Sequence, residues 1–381
     1  MMRKESVRKM KISCSQEALL ESVNVVTKAV PVKTTMPILE CILVKAFNGQ
    51  IILTASNMDL GIENQVKDGE IDEEGIVALD AKLFSDVVRN LPKSTVYIDT
   101  DEVFHTTIRC DKALYKIIGK SGQDFPALDP VRITDPVVMS QLALKEMIRQ
   151  TAFAVSDNDA NKMMTGILFN ISRNNLRMVA LDGHRISIRN CSLKESYPDV
   201  NVVVPGRQMN EINKILSSES NDMVSVYITP SKMIFEIEYT IMVIRLIDGE
   251  YFNYEKMIRN EFNTKIKVNR RELIEGVTRA TLLVREVEAR KNPVIVRIAD
   301  DQMELIGNSA VGTMNESLPI VKEGADQMIG FNPKFLVEAL KAIDDEEVTM
   351  YFFDSKSPCF IKNETESYIY LILPINFNNV R

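Results

Sequence analysis

The decapeptide VALDGHRISI, residues 179–188, places His184, one of two histidines in 381 residues, between Asp182 and Arg185. An imidazole beside a carboxylate and a guanidinium is a set of groups able to move protons. Acid–base catalysis also requires a nucleophile or substrate cradle and a third group that orients the base. The sequence holds no phosphate loop, GxSxG or HExxH motif. The second histidine, His105, lies in VFHTTIRC, a strand-like run with no matching acid motif. A plainer reading makes Asp182-Gly183 a tight turn between the strands LRMVAL and RISIRN, since Asp and Gly supply the turn conformation.

The elements that carry this turn belong to a repeat. Ile12 opens ISCSQEALLESV, Val137 opens VVMSQLALKEMI and Ile266 opens IKVNRRELIEGV. Each reads as a short strand, a polar step and an amphipathic helix. Leu19, Leu144 and Leu273 fall at equivalent places, about 125 to 129 residues apart. A second trio follows half a unit later: VALDAKLFSDVV from Val77, VVVPGRQMNEIN from Val202 and IGFNPKFLVEAL from Ile329, which align Lys82, Arg207 and Lys334. Between the helices run paired alternating segments with the turns FNGQ, SRNN and ADDQ. The pattern predicts an α+β fold of three tandem copies, each with two helices packed on antiparallel sheet. Linkers at Phe125–Pro136 and Ile258–Thr264 set domains over residues 1–130, 131–260 and 261–381.

Composition bounds the function. With 45% hydrophobic and 26% charged residues the chain can pack a core throughout, and no apolar run reaches the roughly 20 residues that cross a membrane. A cytoplasmic protein is expected. The five cysteines stand singly, without a CxxC pair or a histidine at ligand spacing, so free thiols and no metal are expected. A net charge of −7 argues against a protein coated in nucleic acid, but not against a local basic face. The predicted helices are richer in Lys and Arg than the chain as a whole, which has 46 such residues against 53 Asp and Glu. The macrodipole disfavours a cation at a helix start, so Lys82, Arg207 and Lys334 point to a phosphate-facing role.

Three tandem units, the segment LDGHRIS, the stretch FPALD, the run DGEYFNYEKMI and a chain end reading YLILPINF together resemble the bacterial sliding clamp, the beta subunit of the replicative DNA polymerase. The similarity runs from about Lys11 over nearly the whole chain. It implies a head-to-tail homodimer closing as a ring, helices inside, with duplex DNA through the hole and sequence-independent contacts that permit sliding. It implies a scaffold with no cofactor, tethering the polymerase and clamp-loader subunits through short linear peptides.

In that family the DGHR turn and the chain end form an apolar peptide pocket. Matched by position, the pocket is Met164, Leu181, Gly183, His184, Arg185, Ile186, Phe252, Lys256, Met257, Leu371, Leu373, Pro374 and Ile375, with Arg185 as a donor on the rim. DNA-facing positions are Lys33, Lys82, Asn158, Lys162, Arg207 and Lys334. The dimer interface is Lys112, Tyr115 and Ile117 on one side and Leu282 and Leu283, near Glu286, on the other. The chain departs from the family at Phe252, where proline is usual, at Lys256 and Asn376, where arginine is usual, and in the extra NNVR. Two other readings stay open: an enzyme using Asp182 and His184, and a clamp-fold interaction protein that does not encircle DNA.

Overall fold

The computed structural model describes residues 9–128, 130, 135–158, 160–259, 261–282, 293–309 and 312–377. Six helices are seen among them: α1 (Gln16–Val26), α2 (Ala81–Asn90), α3 (Gln141–Thr151), α4 (Gly206–Asn213), α5 (Arg270–Thr281) and α6 (Pro333–Ala342). Each follows a strand, and at α1, α2, α5 and α6 the polar residue between the two caps the helix. Ser15 accepts from the Ala18 amide at 3.2 Å, Asp80 from Leu83 at 2.8 Å, Asn269 from Glu272 at 3.0 Å and Asn332 from Lys334 at 3.0 Å. These bonds satisfy amides that have no partner inside the helix.

The repeat is visible in single hydrogen bonds. The first amide of α1 donates to Ser94 O at 3.0 Å, that of α3 to Asp222 O at 2.8 Å and that of α5 to Arg270's partner Glu346 O at 2.9 Å. Leu19, Leu144 and Leu273 are all buried. The second residue of each predicted turn, Asn48, Arg173 and Asp300, has a positive φ of 53°, 55° and 49°. Such a conformation reverses the chain sharply and is uncommon outside glycine.

The chain folds as two compact units, Met1–Gln141 with Lys214–Leu246, and Leu142–Asn213 with Ile247–Arg381. They divide the second repeat between them, because in each unit a sheet runs unbroken from one repeat into the next. In the first unit the strand Leu60–Gln65 pairs antiparallel with Thr240–Arg245, inside a nine-stranded sheet. In the second, Arg185–Pro205 pairs with Tyr368–Ile372, inside a ten-stranded sheet. The first unit also has a five-stranded sheet ending in the edge strand Ala113–Ile118.

Four cysteines are buried and Cys191 is half-buried, all of them free. No helix among the described residues is long and apolar enough to cross a membrane.

Candidate functional site

The DGHR turn is an Asx turn. Gly183 sits at a φ of 85°, and one oxygen of Asp182 accepts from the amides of His184 at 2.9 Å and Arg185 at 3.2 Å. The other carboxylate oxygen accepts from Arg185 Nε at 2.9 Å. Both oxygens of Asp182 are thus engaged by the turn itself. The His184 ring is exposed and stacks on Phe335, with ring centroids 6.0 Å apart.

Arg185 is not the rim donor expected from the sequence. It is buried, at 7% exposure, and it also ion-pairs with Glu338 of α6 and donates to Phe153 O at 2.6 Å. Its guanidinium lies 4.4 Å from the centre of the Phe335 ring. Burying a guanidinium is tolerated when its donors are met, and here those donors tie the turn to the third repeat.

The chain end completes the wall. Leu373 N donates to His184 O at 2.9 Å, extending the sheet past Ile372 up to the turn. Beside this junction lies a cavity of about 330 Å³. Met164, Leu181, Gly183, Arg185 and Ile186 line it from the middle of the second repeat, Phe252, Lys256 and Met257 from the end of that repeat, and Leu371 and Leu373 from the chain end. The remaining three expected residues stand apart from the lining. His184 faces Phe335, while Pro374 and Ile375 run past the cavity, since Ile375 N donates to Gly330 O at 2.8 Å.

Tyr254, Arg259 and Pro358 also line the cavity, and sequence reasoning missed them. Tyr254 and Arg259 lie in or beside DGEYFNYEKMI, so that run was the available signal. Pro358 carries none, because its place depends on how the strand Cys359–Lys362 pairs. Beneath the cavity the Tyr251 hydroxyl donates to Val179 O at 3.2 Å, and burial pushes its pKa up, leaving it a neutral donor.

Lys82, Arg207 and Lys334 are the second residues of α2, α4 and α6, and all three are exposed, as are Lys33, Asn158 and Lys162. The helices are not uniformly basic, however: α1 holds Glu17 and Glu21 and no Lys or Arg. On the edge strand, Lys112 precedes Ala113, Tyr115 is exposed and Ile117 is half-buried, while Leu114 and Ile118 present more apolar surface. Leu282, just past α5, is 81% exposed. Leu283 and Glu286 lie outside the described residues.

Repeated strand-and-helix units with an apolar cavity of peptide size define a modular binding scaffold. Three family models match in order: the DNA polymerase III beta subunit N-terminal domain over residues 10–129, its central domain over 138–253 and its C-terminal domain over 255–376. The beta sliding clamp of Staphylococcus aureus is 31% identical over 376 residues, covering 96% of this chain and 99% of that protein. Among solved structures, a putative DNA polymerase III beta subunit from Eubacterium rectale is 52% identical with a TM-score of 0.93, covering 97% of this chain and 100% of that one. The sliding clamp of Bacillus subtilis is 31% identical with a TM-score of 0.92, covering 96% and 99%. The chain belongs to the bacterial DNA sliding clamps, the beta subunits of DNA polymerase III. It is a processivity factor of DNA replication.

Proposed function

We propose that two copies close head to tail into a ring around duplex DNA, and that the cavity beside the DGHR turn takes short linear peptides of the polymerase and clamp-loader subunits. The three repeats, over residues 1–130, 131–260 and 261–381, are the domains of that ring. The chain acts as a cytoplasmic scaffold and catalyses nothing, a reading supported by the engagement of both Asp182 oxygens in the turn.

The observation that carries the ring is the edge strand Ala113–Ile118. Among the described residues it ends its sheet with an unpaired side, and it exposes Leu114, Tyr115 and Ile118, the last at 79%. A free apolar edge invites another chain, and proteins that stay monomeric blunt such edges. Light scattering tests this: the dimer has twice the 43.1 kDa chain mass, and a monomer at micromolar concentration overturns the ring. Exposed cations at equivalent helix starts support sequence-independent contact with phosphate.

A further inference from the structure

The first unit holds a counterpart of the DGHR junction, residue for residue. Asn57 stands where Asp182 does: its side-chain oxygen accepts from the amides of Asp59 at 3.1 Å and Leu60 at 2.8 Å. Met58 replaces Gly183 and keeps its left-handed backbone, with φ of 75° against 85°. Arg245 N donates to Asp59 O at 2.9 Å, as Leu373 N does to His184 O. Leu60 pairs with Ile244 as Arg185 pairs with Ile372. A cavity of about 370 Å³ lies beside this junction too, lined by Met58, Val243 and Arg245 where the other has Gly183, Leu371 and Leu373. Leu128 of the first linker closes one side. It fits because Gly61 has no side chain, and a Cβ there would fall 2.0 Å from a Leu128 methyl.

The chemistry of the two cavities differs. Arg245 and Lys232 both line the first, and they are directly opposed on neighbouring antiparallel strands. Opposed residues share a face of the sheet, and like charges in that position repel. No ion pair is made by either among the described residues. Asp59 also lines the cavity, so among the described residues two cations face one carboxylate there.

We infer that this cavity is a second docking site, which takes an extended peptide segment of a partner protein carrying a carboxylate beside an apolar side chain. The carboxylate sits between Lys232 and Arg245 and removes their repulsion; the apolar side chain enters against Met58, Val243 and Leu128. Charge-assisted bonds of this kind are the strong ones, and Arg favours planar carboxylates. Duplex DNA offers anions but no apolar group for the floor. The site goes beyond the peptide pocket proposed above and does not depend on it.

Methionine ε-methyl NMR on the full chain separates the two cavities, because Met58 lines one while Met164 and Met257 line the other. The probes are acetyl-Asp-Leu-Phe-amide and its neutral counterpart acetyl-Asn-Leu-Phe-amide. The acidic peptide should shift Met58 and bind there at least about tenfold more tightly than the neutral one. The double variant Lys232→Gln, Arg245→Gln should abolish that difference. Equal shifts of Met58 by both peptides, no shift at millimolar peptide, or a shift of Met58 by a short DNA duplex alone would each overturn the proposal. A shift confined to Met164 and Met257 overturns it while leaving the first pocket intact.

Discussion

Arg185 Nε lies 2.9 Å from Asp182 Oδ2, and the same guanidinium reaches Glu338 on α6, so one buried cation holds the turn and the third repeat together. Replacing it with Met leaves two carboxylates facing a site that lost its counter-charge. Breaking such a pair from one side costs about 3 kcal/mol. Arg185→Lys should recover only part of this, because an ammonium cannot reach Asp182, Glu338 and the Phe153 carbonyl in one plane. Urea unfolding decides, and a loss below about 1 kcal/mol for Arg185→Met would show that the pairs are not what holds the turn.

The burial of Arg185 marks a limit of sequence reading. An arginine next to a turn is ordinarily exposed, and Glu338, which encloses it, is 153 residues away. The repeat itself was legible because it is written locally: in the caps Ser15, Asp80, Asn269 and Asn332, in turn residues with positive φ, and in one buried Leu per first helix. Sheet continuity between repeats was not. The pairing of Leu60 with Ile244 is a tertiary outcome that alternating residues on either strand cannot specify. Likewise the run LPIN reads as one apolar tail, yet Leu373 turns to the cavity and Ile375 bonds to Gly330.

The edge strand makes the dimer sensitive to charge. Ile118→Asp with Leu114→Asp should yield monomers at micromolar concentration, since buried apolar area, at roughly 25 cal/mol per Å², is what such an interface has to offset association costs. Leu282→Ala should weaken the dimer in the same direction. Both sites are exposed, so folding should survive. Sedimentation showing an unchanged dimer for the charged variant would move the interface elsewhere.

Replacing Lys82, Arg207 and Lys334 with Glu tests the phosphate reading. Each lost contact should lower the salt slope of DNA retention by close to one unit, and the half-life on circular DNA should fall. The three side chains are exposed, so thermal stability should change little. Retention and salt slope equal to the parent protein would return these residues to helix propensity alone.

Alkaline stability should carry the signature of Cys14. Burial pushes its thiol up from an ordinary value of 9.0 to about 12. The folded state therefore holds its proton more tightly than the unfolded chain. Its contribution is fully present below pH 9 and is lost as pH rises from there towards about 12. Cys14→Val, which has nothing to ionise, should gain on the parent protein across that window and not below it. A stability difference that stays flat with pH would assign the window to other groups.

The last test concerns which part of the chain end holds a peptide. Leu371 and Ile372 are buried in the ten-stranded sheet, so removing them costs the fold itself and reports nothing about binding. A chain ending at Ile372 keeps the strand and loses Leu373 from the cavity wall, along with the bond from Ile375 to Gly330. It should fold and dimerise while binding a short polymerase-derived peptide at least about tenfold more weakly, because an anchor has lost its wall. His184→Ala should cost no more than about 1 kcal/mol, since His184 faces Phe335 and not the cavity. Met257→Asp, at an exposed position of the cavity lining, should match the truncation, as a carboxylate placed beside Met164, Leu371 and Leu373 is costly to desolvate when an apolar side chain binds. Calorimetric titration reads all three. Parent-like affinity in the truncated, dimeric protein would remove the chain end from the pocket, and a large loss in His184→Ala would mean that the ring turns into the cavity when peptide binds.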